Sequence, residues 1–161
     1  MSRLITASLH SQINWYKICP QSWRGRAFTA LVKSLGREYG EITGPGKRGI
    51  DFENEVYRVS RIKKTGGSKK FQKILNSVEG GVFQKKAKKF IVIDKVEYCL
   101  YTKLDVWFPT KIIDIKTTGK WDHNSSDKYL GSFQHQLYCY VTGIQDFEYL
   151  IAVFDGDEGM K

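Results

Sequence analysis

Residues 103–118 read KLDVWFPTKIIDIKTT, and the two apolar runs in that stretch decide the fold. Leu104, Val106, Trp107 and Phe108 surround Asp105 in the first run, and Ile112, Ile113 and Ile115 surround Asp114 in the second. β-Branched and aromatic residues on either side of Pro109-Thr110 predict two neighbouring strands of a hairpin. Side chains alternate across a strand, so Asp114 and Lys116 share one face, and Asp105 comes beside them from the neighbouring strand. A solvated hairpin edge would accept the same charges. Their apolar flanks favour a site, because charges set in such runs are paired or metal-bound. Two carboxylates and an ammonium gathered in this way suit phosphodiester chemistry. The carboxylates offer hard oxygen ligands for Mg2+ or Mn2+, and the lysine steers or deprotonates a water.

Outward from this hairpin, 82–94 and 96–108 read as strands joined by a tight turn at Asp94-Lys95, making a meander with 111–118. Residues 147–154, FEYLIAVF, suit a buried final strand. Helical spacing appears over 11–19 behind Ser11, over 21–39 with a stripe of Trp23, Ala27, Leu31 and Leu35, and from Arg48 with Phe52, Val56 and Val59. Phe71–Val78 forms a short helix broken by Gly80-Gly81. Helix resumes from Leu130 with a stripe of Phe133, Leu137, Tyr140 and Val141, after a polar stretch over 119–129.

The chain has 161 residues, 41% of them hydrophobic, which is enough for one globular domain with a real core. No run is apolar and long enough for a membrane span or a secretory leader, so the expected setting is soluble and cytoplasmic, with no membrane partner. The three cysteines are far apart with no C-x-x-C pair, which points to buried small side chains rather than zinc or disulfides. Lys and Arg outnumber Asp and Glu by 26 to 17, a formal +9 that favours a polyanion such as nucleic acid.

Further candidates lie outside the hairpin. Glu53 is a candidate acidic ligand in the first turn after Arg48, with Glu55 as its competitor and a dipole-stabilising surface role as the alternative. The basic run Lys63, Lys64, Lys69 and Lys70 around Gly66-Gly67 reads as a loop able to touch phosphates, without the spacing of a nucleotide-binding P-loop. Lys85, Lys86, Lys88 and Lys89 either protect a strand edge or line a nucleic-acid groove. Gln134 and Tyr138 stand four apart on a helix, as do Gln136 and Tyr140, and either pair suits a phosphate or a ligating carboxylate. His123 is a loop histidine and, on its own, a bystander.

Taken in chain order, these pieces resemble the PD-(D/E)xK nuclease superfamily in its RecB-like branch. SQINWYKICP over 11–20 is similar to the helix ending in Cys-Pro that opens many such domains. GIDFE over 49–53 is similar to the first motif, Asp105 and Asp114-Ile115-Lys116 to the second and third, and FQHQLYCY over 133–140 to the Q-x-x-x-Y helix. Departures are Glu53 where many members have histidine, Lys103 near a usual glycine, and no proline directly before Asp105. The resemblance implies an α/β fold with a restriction-endonuclease-like core, a central mixed β-sheet flanked by helices, as a single domain with a helical part over 1–47 and a catalytic core over 48–154. It implies a metal held by Asp105, Asp114, the Ile115 backbone carbonyl and Glu53, with Lys116 at the nucleophile and Gln134 and Tyr138 at the DNA backbone. The implied activity is a divalent-metal-dependent nuclease, foremost an exonuclease, acting without sequence preference on single- or double-stranded DNA in recombination, repair or processing. The small size would suit a phage or mobile-element protein. An iron-sulfur cluster is not expected, since only Cys19 matches a cluster ligand. Translocation is left to a helicase or recombination partner. The alternatives are a nucleic-acid-binding protein that does not cut and a junction-resolving endonuclease.

Overall fold

A computed structural model describes residues 3–38, 40–62, 68–122 and 125–154. The chain is mixed α/β. Strand β1 (Arg3–Thr6) leads directly into helix α1 (Ala7–Ile18). A single 3-10 turn (Gln21–Trp23) precedes α2 (Arg24–Gly36), and α3 (Gly44–Ile62) and α4 (Lys69–Val78) follow. Strands β2 (Val82–Ile93), β3 (Val96–Trp107) and β4 (Lys111–Thr118) come next, then α5 (Ser125–Leu130), α6 (Phe133–Thr142) and β5 (Asp146–Val153). The strands form one open five-stranded sheet in the order β1-β3-β4-β5, with β2 paired to β3. β1 runs parallel to β3, β3 antiparallel to β4, and β4 parallel to β5, so the sheet is mixed as expected. Among the described residues no helix is long and apolar enough to cross a membrane.

The contacts divide into two compact units. One comprises 1–41, 86–102 and 131–143, and the other 42–85, 103–130 and 144–161. The long β2-β3 hairpin contributes residues to both. The hairpin turn is Asp94-Lys95 at φ 48 and 65, a left-handed pair whose twist matches that of the flanking strands.

In the first unit, β1 pairs with residues 98–101 of β3, and its last residue, Thr6, caps α1 by accepting the Leu9 N–H at 3.2 Å. The helix therefore starts four residues before the expected Ser11. The strand itself was not anticipated: RLIT is too short to show a period. α2 ends at Arg37, which takes the left-handed conformation at φ 57, short of the expected Tyr39. Its stripe is buried only at Ala27, while Phe28, Val32 and Leu35 stand exposed. On α6 the buried residue is Tyr138 rather than the expected stripe, and Tyr140 is exposed. Ser132 caps this helix, accepting the Gln134 N–H at 3.1 Å, and Gly143 closes it in the left-handed conformation at φ 78. Cys19 and Cys99 are buried thiols.

The second unit carries the main core. Val56 and Val59 of α3 and Ile74, Leu75 and Val78 of α4 pack with Val106, Ile113, Ile115 and Ala152. Phe52, Phe71, Phe83 and Phe154 close its rim, with the Phe52 ring 5.4 Å from Phe154 and 6.2 Å from Phe71. Each fully buried valine or isoleucine contributes about 1.5–3 kcal/mol. β4 is buried from Ile112 through Ile115, which explains a run that is apolar on both faces. α3 crosses β4 at Gly49, where a Cβ would lie 3.0 Å from Thr117 Oγ1, so glycine permits the close approach. The loop after α4 is tighter. At Gly81 a Cβ would run into Val106 Cγ1 and stand 2.9 Å from Phe108 Cζ. Gly81→Ala is therefore expected to destabilise the fold by about 1–3 kcal/mol, read as a lower urea midpoint with an unchanged slope. An unchanged midpoint would mean that the β3 side chains move aside at no cost.

Candidate metal centre on the β3-β4 hairpin

The acidic residues converge within the second unit. Register pairs Val106 with Ile113 and Trp107 with Ile112, and one step further along the hairpin stand Asp105 and Asp114. There the ladder gives way to a side chain: Asp105 Oδ2 accepts the Ile115 N–H at 2.8 Å. On the same strand as Asp114, Lys116 brings its ammonium to 2.5 Å from Asp114 Oδ2, as the two-residue period requires. Asp114 is fully buried.

Glu53 enters from α3, on the turn that follows Gly49, and Glu55 is excluded as its competitor. Glu55 is exposed and pairs with Arg58 at 2.7 Å along the helix surface. Glu53 Oε1 accepts a hydrogen bond from Gln84 Nε2 of β2. Gln84 holds a left-handed conformation at φ 56 inside a strand, which costs a non-glycine residue about 1 kcal/mol, and its Oε1 is buried without a hydrogen-bond partner. Strain of this kind persists where the surroundings over-determine a conformation, as they do at functional sites.

The electrostatics join these groups. Burial raises the Glu53 carboxyl above its usual range and the Asp105 charge adds to this, against the Gln84 bond and the charges of Lys103 and Lys116. Burial likewise raises Asp105, opposed by the Ile115 N–H, Lys116 and Lys103. Asp114 is pushed up to about 7 by burial, with Lys116 pulling down and the Asp105 and Glu53 charges pushing further up. For Lys116 burial acts downward, yet Asp114 and Asp105 outweigh it and hold the amine above the usual lysine range. Lys116 is thus a cation at neutral pH, the shared counter-charge of the carboxylates.

Among the described residues no three acidic, histidine or cysteine side chains are spaced as a ready ligand set. The chemistry of the donors nonetheless fits a hard divalent cation. All are carboxylates, and each carries a burial penalty that a bound cation would relieve.

The remaining candidates fall in other places. Lys69 and Lys70 open α4 and are exposed. Lys63, Lys64 and His123 lie outside the described residues. Gln134 and Tyr138 belong to the first unit, where Gln134 Nε2 donates to Tyr138 Oη at 3.0 Å along α6. In the competing pair, Tyr140 is engaged with Lys89, whose Nζ lies 3.9 Å over the ring and 3.0 Å from the Tyr140 carbonyl. Lys85 stands 3.8 Å over Trp107, so half of the β2 lysine run is taken up by aromatic rings. A cavity of about 420 Å3 lies between α3, α4 and the start of β2, lined by Arg61, Gln72, Asn76 and Glu79 among others, and holds none of the acidic cluster.

Gln84 and Lys103 had no signal in the sequence as site residues. Gln84 lies 31 residues from Glu53, and only a positive φ, invisible in sequence, marks it. Lys103 stood out merely as a departure from a usual glycine.

No family model matches the chain, and no curated protein matches it. Among solved structures it is similar to the protein SSO0001, known from a crystal structure, with a TM-score of 0.52 at 8% identity over the whole of this chain. The chain spans 65% of that protein's length. At such low identity the likeness is one of fold alone, and it agrees with the α/β architecture described above.

Proposed function

We propose that the chain is a divalent-metal-dependent deoxyribonuclease of the PD-(D/E)xK superfamily and its RecB-like branch, a cytoplasmic exonuclease of DNA recombination, repair or processing. The observation that carries this reading is the cluster of fully buried Asp114 with half-buried Asp105 and Lys116 on the β3-β4 hairpin and half-buried Glu53 of α3 beside it. A structural ion pair needs one acid for one base. Here three carboxylates surround one principal ammonium, an excess of negative charge that burial makes costly unless a cation compensates it.

Asp105, Asp114, the Ile115 carbonyl and Glu53 would hold a Mg2+ or Mn2+ ion, which supplies Lewis acidity toward water and phosphate. The Ile115 N–H fixes the Asp105 carboxylate, and Gln84 fixes Glu53, so the donors keep their orientation. Lys116, held protonated, orients the attacking water and balances charge growing on the phosphoryl oxygens rather than accepting the proton itself. The water gives its proton to bulk solvent as it adds to phosphorus, and the bond to the leaving oxygen breaks with that oxygen taking a proton from solvent, leaving a phosphate monoester and a free hydroxyl. Lys69 and Lys70, with Lys63 and Lys64, contact flanking phosphates, and Gln134 and Tyr138 contact the DNA backbone, contacts that position without reading bases.

The experiment is cleavage of end-labelled linear, closed circular and single-stranded DNA with Mg2+ or Mn2+. Metal-dependent cutting of linear substrates with closed circles spared is the expected outcome. Binding without cutting in either metal would sink the nuclease reading in favour of a non-catalytic binding protein, and preference for branched DNA by a dimer would favour a junction-resolving endonuclease. Gln84→Ala is expected to raise the Mn2+ concentration for half-maximal cleavage by about tenfold while leaving the rate at saturating metal largely intact. Equal loss at all metal concentrations would show that Gln84 does not act through Glu53.

A further inference from the structure

The face of β5 that carries the partner of Asp114 also begins a ladder of rings. Asp114 pairs in register with Tyr149, so Tyr149 shares the face of Asp114 and Lys116, and its phenol is close enough to act on the Lys116 ammonium. The Tyr149 ring lies 4.9 Å from Phe147 and 5.4 Å from Tyr129 of α5. Tyr129 in turn stacks on Trp121 at 6.3 Å with only 14° between the planes. The ladder thus leads from the acidic cluster to Trp121, which is 46% exposed. The apolar core of this unit is elsewhere, on the side of Ile113, Ile115 and Ala152, and does not include these rings.

Rings that only fill a core end in buried positions. Here the outermost and largest ring is nearly half open, with one face on Tyr129. Beside it Lys120 is 84% exposed in its side chain and only 4.0 Å from Asp122, a loose pair at the surface. An open indole next to a surface ammonium, connected by rings to a phosphodiesterase cluster, fits a flat aromatic group attached to a phosphate. In duplex DNA the bases are already stacked on one another; in a single strand each base has a free π-face.

We infer that Trp121, backed by Tyr129, is a stacking platform for an unpaired nucleobase of the DNA strand being cut. This rests on the nuclease reading and deepens it, since it commits the site to a single-stranded segment next to the scissile phosphate. Sequence tolerance follows, because every base offers a π-face.

The test is fluorescence anisotropy with a labelled oligothymidylate, and with the same backbone lacking bases, in EDTA so that nothing is cut. Trp121→Ala is expected to weaken oligothymidylate binding about tenfold or more and to leave the abasic backbone unaffected, while Trp121→Phe restores most of the difference. Equal affinity of native protein and Trp121→Ala for both backbones overturns the platform, as does an equal loss on both. Because binding is read without metal, the two readings separate. Base-selective loss in a protein that cuts nothing with Mg2+ or Mn2+ upholds the platform and rejects the nuclease. Metal-dependent cutting without base-selective loss does the reverse.

Discussion

On the proposed nuclease reading, Lys116→Met is expected to lower metal-dependent cleavage by about a thousandfold or more while the protein remains folded and still binds DNA. Methionine retains much of the lysine stem and removes the ammonium that stands 2.5 Å from Asp114. The expected loss is large because, on that reading, a preorganised charge would be aimed at the reacting phosphate, where it is worth most inside a partly desolvated pocket. Folding survives because Asp114, already raised to about 7 by burial, answers the loss of its partner by taking up a proton. Single-turnover cleavage of linear DNA at saturating Mn2+ measures the effect, with circular dichroism as the check on folding. Activity within tenfold of native would remove Lys116 from the chemistry and leave it a structural counter-ion.

Without a divalent cation, the melting temperature falls as pH rises from 5 to 8. The sign follows from the raised carboxyls: between the unfolded value near 4 and the folded value of about 7, the native state holds a proton on Asp114 that the unfolded chain has released. Stability is therefore greatest on the acidic side of this window and is lost as pH climbs through it. Glu53 and Asp105, also raised, act in the same direction. The cluster as a whole is expected to cost roughly 2–4 kcal/mol by pH 8, a fall of about 5–15 °C for a chain of this size. If the cluster takes a cation as proposed, millimolar Mn2+ is expected to raise the melting temperature strongly at pH 8 and little at pH 5, because protonated carboxyls do not ligate. Asp105→Asn keeps an oxygen for the Ile115 N–H while removing one charge, so it flattens the pH profile and shrinks the Mn2+ increment. A profile that is flat in EDTA, with no response to Mn2+ at pH 8, would show that the cluster neither strains the fold nor takes a cation.

Much of the local organisation was legible in the sequence. The run IIDIKT carries its own geometry, since a period of two puts Asp114 and Lys116 on one face, and the structure brings their charges into contact. Strands expected over 82–94, 96–108 and 147–154 lie within one residue of those observed, and the tight turn expected at Asp94-Lys95 is there, its left-handed conformation being a finding of the structure. Errors gathered where local pattern and packing diverge. The stripe on α2 had helical spacing, yet only Ala27 is covered, because periodicity says that a helix has an apolar face without saying what meets it. RLIT at the N-terminus gave no period, and its strand exists because β3 offers an edge at 98–101.

The sequence by itself determined which residues could share a strand face, where the hairpin turns, and which charges would be costly to bury. These depend on neighbours within a few residues, and backbone geometry repeats over that range. Only the tertiary structure decided that Glu53 rather than Glu55 joins the acids, that Gln84 of β2 holds it, that the Ile115 N–H donates to the Asp105 carboxylate, and that Trp121 and Tyr129 extend the ladder from Tyr149. These partners are distant in sequence or lie in segments without a period. Their meeting depends on how α3 and α5 pack against the strands, and chain-local spacing carries no record of it.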